Sequence, residues 1–239
     1  MIASLPMYDR PTNAVAHDLF WSLIRDHLRD DGIDAPDQLD RSVLYRDTWS
    51  RADLVLGQIC IMPYRTSYAK DVTVIGSSDY GLEGCPPGHF RALFVCRHDD
   101  PRDLKALSGA RFAANAKHSF SGYQSAQEKL ADLGLTLPDP LITGSHGASV
   151  RSVAQGEADF ACIDAQTWRM QQADMPETRH LRVLGATNTA PGQTFITRQS
   201  DDPAPYFAAI KSAIVALPLD IRTTLGLRDV VALPASAYA

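Results

Sequence analysis

ANAKHSFSGYQSAQEKLADLG, residues 114–134, places two serines, a glycine and a tyrosine directly ahead of a helical pattern. Tyr123, Ala126, Leu130 and Leu133 recur at spacings of three and four, which predicts a helix that Gly134 stops. The apolar residues just before the stretch predict a strand, so the serines mark a strand's carboxyl end feeding a helix start. Such a start offers unsatisfied backbone N–H groups and about half a positive charge, which together attract an anion. Ser119 and Ser121 add hydroxyl donors, Gly122 permits close backbone approach, and Tyr123 adds a phenolic donor. The plainer role for the same residues is helix capping.

A second junction of the same kind shifts the balance toward a ligand. GSHGASVRSVAQGEADFACID, residues 144–164, sets Ser145, His146 and Gly147 at another strand-to-helix turn. His146 gains significance from that position, because a helix terminus is where an imidazole meets an anion. Lys117 and His118 add positive charge beside the first junction. Asp164 closes the strand ADFACID, and two roles stay open for it. It caps the helix AQTWRMQQ, or it recognises a cationic or hydroxyl group on the ligand.

Outward from these junctions, strands and helices alternate through the whole chain. MIASLP predicts a buried strand with Tyr8 just past its carboxyl end; Thr12 or Asn13 then caps a helix carrying Val15, Leu19, Leu23 and Leu28. Asp53–Leu56 predicts a second strand, with a turn at Gly57 and a loop carrying Gln58 and Tyr64. The alternation indicates an α/β protein with parallel sheets covered by helices. Apolar runs near residues 90–97 and 186–198 read as two crossings between lobes. They divide the chain into an outer lobe, 1–92 with 193–239, and an inner lobe, 93–192, with the ligand expected in the cleft.

Composition removes several function classes. The chain has 239 residues and a net charge of -5, with no Lys/Arg stripe, so a nucleic acid is not expected as a partner. Its apolar runs fall far short of the roughly 20 residues that span a bilayer, so it does not read as an integral membrane protein. The N-terminus MIASLPMYDRPT lacks the pattern of a secretion signal, which reads as cytoplasmic, or as periplasmic if a leader has been removed. Four cysteines without a CxxC pair, and seven histidines without HExxH spacing, predict neither a zinc site nor any other cofactor. Cys60, Cys96 and Cys162 read as small core residues.

The motifs carry a family resemblance. RDLKALSGARFAANAKHSFSGY, residues 102–123, followed by the 144–164 stretch, resembles the phosphate/phosphite/phosphonate-binding proteins of ABC transporters, which have the type II periplasmic binding protein fold. In that family a serine-rich STSGY helix start and a GSH turn recur in this order. The resemblance implies that Ser119, Ser121 and Tyr123 line an oxyanion site, with Gly122 between them, His146 at the second junction and Asp164 at the end of the following strand. Tyr8 and Tyr64 would supply aromatic cover from the outer lobe. Phe120 departs from the pattern, standing where the family usually carries threonine.

The expected function is therefore non-enzymatic binding of a small phosphate- or phosphonate-like anion, with an ABC permease as the partner the resemblance implies. Two other functions use the same scaffold. One is an enzyme of the menaquinone- or pyrimidine-precursor type, with His146 or Asp164 as acid or base; the other is an effector-sensing domain.

Overall fold

The computed structural model describes all residues, 1–239. The chain opens with strand β1 (Ile2–Ser4), helix α1 (Ala14–Asp30), a helical turn α2 (Tyr45–Thr48) and strand β2 (Leu54–Ile59). A short helix α3 (Ile61–Pro63) runs into a wide π-type turn over Tyr64–Tyr68, followed by β3 (Val72–Asp79), β4 (His89–Phe90) and β5 (Ala92–Arg97). Next come α4 (Leu104–Leu107), β6 (Phe112–Ala114), a second π-type turn (Phe120–Gln124) leading into α5 (Ser125–Asp132), and β7 (Leu141–Ile142). The elements α6 (His146–Ala154), β8 (Phe160–Asp164), α7 (Ala165–Asp174) and β9 (Leu181–Ala186) follow. The chain ends through β10 (Ala190–Pro191), β11 (Thr194–Arg198), α8 (Pro203–Ala216), α9 (Leu219–Leu225) and β12 (Asp229–Val231).

These elements form two compact units, Met1–His89 with Pro191–Ala239, and Phe90–Ala190. The fold is α/β and two-lobed. The chain passes between units in β4 and again in β10, which pair as a two-stranded sheet. The unit boundaries lie at 89/90 and 190/191, against 92/93 and 192/193 read from the apolar runs. Those runs are themselves sheet strands: β5 lies inside the sheet of one unit, and β11 in the middle of the other.

In the discontinuous unit the strand order is β1-β2-β11-β3-β12. The expected parallel sheet is corrected here to a mixed one. β1 and β2 run parallel, whereas β11 is antiparallel to both β2 and β3, and β12 is antiparallel to β3. β-α-β connections repeat one direction, but a strand arriving from the other unit enters without such a crossover and is free to run opposite. The turn expected at Gly57 is also corrected. Gly57 sits within β2, opposite Ile196, and a Cβ there would lie 3.3 Å from the Ile196 Cγ1. Glycine here serves close packing between central strands rather than a reversal of the chain.

The continuous unit has the order β7-β6-β8-β5-β9, again mixed, with β6 parallel to β7 and β8 but β5 antiparallel to β8 and β9. Alternation along its strands buries both faces. Phe94, Cys96, Phe112, Phe160 and Cys162 pack on one side, while Val95, Ala113, Ala161 and Ile163 pack with Val150, Val153 and Trp168 on the other. Cys96 and Cys162 are fully buried, and burial raises the pKa of both thiols, that of Cys162 strongly. Cys60 is only half-buried, a correction to its reading as a core residue: it sits at the start of α3, outside the strand.

Charge anchors one end of this sheet. Asp100 accepts from the Arg102 backbone N–H at 3.0 Å and from its Nη2 at 2.6 Å. Asp159 accepts from the Arg111 backbone N–H and Nε, both at 3.0 Å, and from Arg102 Nη2 at 3.2 Å. Arg182 donates to the carbonyls of Asp100 and Arg102 at 2.6 and 2.8 Å. The group gathers the exit of β5 and the entries of β6, β8 and β9. The opposite end of the sheet carries the carboxyl ends of β6 and β8, where the serine and histidine junctions lie.

Candidate functional site

The first junction is built as a capped helix start. Ser119 has extended backbone, and its Oγ accepts from the Gly122 N–H at 3.1 Å. The chain then makes the π-type turn and continues as α5. Ser121 is 6% exposed and places its Oγ 3.1 Å from His146 Nε2. That bond joins the two junctions singled out in the sequence. Gly122 is buried between the same groups: a Cβ on it would collide with Asn115 Oδ1 and lie 3.2 Å from His146 Cε1. A side chain at 122 would have to displace the Asn115 carboxamide.

His146 opens α6, behind Ser145, whose Oγ accepts from the Ala148 N–H at 3.1 Å. The α6 start is fixed from β6 as well, since the Thr143 and Gly144 N–H groups donate to the Ala114 and Asn115 carbonyls at 2.9 and 3.0 Å. Thr143 Oγ1 lies 2.7 Å from Ser149 Oγ, tying the loop to the helix. Two helix starts thus meet through Ser121 and His146 at the end of β6, an arrangement that concentrates N–H donors and positive dipole ends.

The remaining sequence candidates fall into different places. Tyr123 leans its ring on the core cluster, and its hydroxyl accepts from Gln127 Nε2 at 3.1 Å, one turn along the helix. Asp164 is 2% exposed and caps α7, accepting from the Thr167 N–H at 2.7 Å. His118 and Lys117 are exposed. Phe120 is buried 6.0 Å from the Phe90 ring, so its bulk is spent on the core.

Tyr8 and Tyr64 belong to the discontinuous unit. Tyr8 has a φ of 70°, a left-handed conformation uncommon outside glycine, and strain of this kind concentrates at functional positions. It is held by the Asn13 side chain, which donates to the Tyr8 carbonyl at 3.0 Å, and by an edge-on contact with Tyr80 at 4.9 Å. Asn13 therefore shapes the loop before α1, and its side chain makes no cap bond to the helix. The Tyr8 hydroxyl accepts from Gln193 Nε2 at 3.4 Å. Tyr64 starts the first π-type turn and packs edge-on against Tyr238 at 6.0 Å, in a different aromatic group.

Sequence reading missed Asn115 and Gln171. Asn115 looks like an ordinary loop residue, and only the fold shows its carboxamide against Gly122. Gln171 hides in the middle of α7, 5% exposed, with its Nε2 3.4 Å from where a Cβ on Gly147 would be. No group of three His, Cys, Asp or Glu side chains converges to hold a metal. No single helix is long and apolar enough to cross a membrane.

Comparison with known proteins agrees with this architecture. The family described as ABC transporter, phosphonate, periplasmic substrate-binding protein matches residues 63–232, and the chain belongs to it. It is thus a solute-binding component of the ABC transporter type, binding a small anionic solute. PhnD1 from Prochlorococcus marinus, solved with methylphosphonate, superposes with a TM-score of 0.70 at 16% identity, covering 99% of this chain and 93% of that one. XAC2383 from Xanthomonas citri, solved with ATP, gives 0.70 at 16% identity, covering 99% and 92%. A binding component of an ABC phosphonate transporter from Pseudomonas aeruginosa gives 0.64 at 12% identity, covering 94% and 77%. At such identities the likeness is one of fold. No curated protein matches the chain.

Proposed function

We propose that the ligand is a phosphonate- or phosphate-like oxyanion seated where Ser121 meets His146, and that the protein hands it to an ABC permease in the periplasm without chemical turnover. The observation that carries this reading is the 3.1 Å contact between Ser121 and His146, which brings two helix starts to one point. A tetrahedral oxyanion has acceptor oxygens enough to engage N–H groups from both starts together with the Ser121 hydroxyl.

The decisive experiment is a thermal-shift and calorimetric series with methylphosphonate, phosphate, phosphite, sulfate and small carboxylates. A ligand that binds only the folded state raises the melting temperature, by the equivalent of about 2.7 kcal/mol at a hundredfold excess over Kd. Phosphorus oxyanions are expected to give the largest shift. Ser121→Ala should weaken binding by about 1–3 kcal/mol, the worth of a hydrogen bond to a charged group. A shift produced by carboxylates alone would refute the phosphonate reading.

The Ser121–His146 distance also suits a nucleophile and its base, which keeps an enzymatic reading in view. Hydrolysis of an activated ester by the wild type, lost in Ser121→Ala, would favour that reading. Binding without turnover is the outcome expected here.

A further inference from the structure

The cradle at the end of β6 is rich in donors, yet one of its buried atoms is an acceptor with nothing to accept. Asn115 follows β6 directly, and its Oδ1 is buried without a hydrogen-bond partner. The same oxygen lies so close to Gly122 that an added Cβ would collide with it, and that Cβ would also sit 3.2 Å from His146 Cε1. Asn115, Gly122 and His146 therefore converge at one point, with Ser121 bonded to the imidazole. The carboxamide is anchored there by its own backbone, whose carbonyl accepts from the Gly144 N–H at 3.0 Å.

An unsatisfied buried acceptor costs stability, and a Cα–H contact from glycine offsets only a small part of that cost. Such a group is kept where a ligand completes it. The neighbouring helix starts supply N–H groups suited to bare, negatively charged oxygens, whereas Asn115 Oδ1 repels a bare oxygen and welcomes a hydroxyl. We propose that Asn115 is a specificity-determining ligand contact that accepts the proton of a singly protonated oxyanion, so that the site selects a P–OH monoanion over an equally charged anion with no proton to give. This rests on the oxyanion reading above and narrows it to a protonation state.

Methylphosphonate monoanion and methanesulfonate provide the test, because both are tetrahedral and singly charged, and only the first carries a hydroxyl. Their affinities should be measured by calorimetry, at a pH below the second ionisation of the phosphonate, for the wild type, Asn115→Leu and Asn115→Ala. The wild type is expected to prefer methylphosphonate by roughly tenfold or more, the usual scale for an acceptor left unmatched. Both variants should lose most of that preference while their unliganded melting temperatures stay level or rise, since an unsatisfied acceptor has been removed. Asn115→Asp, which keeps an acceptor at the same place, should retain the preference.

Equal wild-type affinity for the two anions overturns the proposal and leaves the oxyanion reading standing. So does a preference that survives in Asn115→Leu and Asn115→Ala, or variants that lose stability and affinity for both anions alike. Failure of the wild type to bind either anion, or phosphate, overturns the oxyanion reading and the proposal with it.

Discussion

A methyl group at position 122 would strike the Asn115 carboxamide and crowd the His146 ring, so Gly122→Ala tests the cradle with the smallest possible change. Two effects oppose each other. Alanine in the first helical turn gains roughly 0.5–1 kcal/mol over glycine through the unfolded chain, while the displaced carboxamide and imidazole lose their positions. Asn115 is the far end of a movable side chain, so the fold tolerates the change. The expected result is a melting temperature within a few degrees of wild type and affinity for methylphosphonate reduced roughly tenfold, because a small displacement of donors costs binding more than it costs packing. Calorimetry against the unliganded melting curve checks both halves. At the same scale, Tyr8→Phe keeps the ring against Tyr80 and removes only the hydroxyl bonded to Gln193. The expected result is a lower melting temperature, equivalent to about 1 kcal/mol for one lost hydrogen bond; a melting curve identical to wild type would show that the bond contributes nothing.

The sheet of the continuous unit divides its labour between its ends, with the serine and histidine junctions at one and the Asp100–Arg102–Asp159–Arg111 group at the other. Arg102 holds the Asp100 carboxyl down to about 2, and Arg111 holds Asp159 below the usual carboxylate range. A carboxyl whose folded value is depressed contributes stability that is complete above its unfolded value of about 3.9. That contribution fades as the pH falls toward the folded value. The protein should therefore lose stability steeply between about pH 4 and pH 2. Asp100→Asn should lower the melting temperature by a few degrees at neutral pH and flatten this acid limb. An acid limb identical to wild type would show that the group contributes nothing through ionisation. His17 adds a separate slope at higher pH: burial lowers its pKa against the opposing pull of Asp9, so protonation on acidification disfavours the folded state below about 6.5.

How much of this was legible depended on the range of each interaction. The helix starts at Ser119 and Ser145 were readable because capping is local, set within three or four residues. The pairing of Ser121 with His146 was implied by two similar junctions but fixed only by the strand order β7-β6-β8. Strand direction was not legible, since nothing local to β11 says that it arrives from the other unit. Gly57 misled for the same reason: a glycine that makes room for Ile196 has the same local signature as one that makes a turn. Asn115 carried no local signal at all, because its neighbours Gly122 and His146 reach it only through the fold.

The two units differ in how the chain builds them, and that difference sets what each can do alone. All strands from β5 to β9 lie within Phe90–Ala190, and both core clusters of that unit come from the same segment. In the other unit β11, contributed by the C-terminal segment, is hydrogen-bonded between β2 and β3. Without it the two N-terminal strands have no common neighbour and the core around Trp49, Leu54, Ile59 and Ile196 is open. A fragment spanning 90–190 should therefore fold cooperatively, near the usual size of a small domain, whereas a fragment spanning 1–89 should not. Circular dichroism through a urea titration decides this: one sigmoidal transition is expected for 90–190 and a featureless drift for 1–89. The folded fragment keeps Ser121, His146 and Asn115, so its affinity for methylphosphonate tests whether these three residues suffice for binding. No transition for 90–190 would mean that its two-faced core is insufficient without the other unit, and that the anion cradle is assembled only in the intact protein.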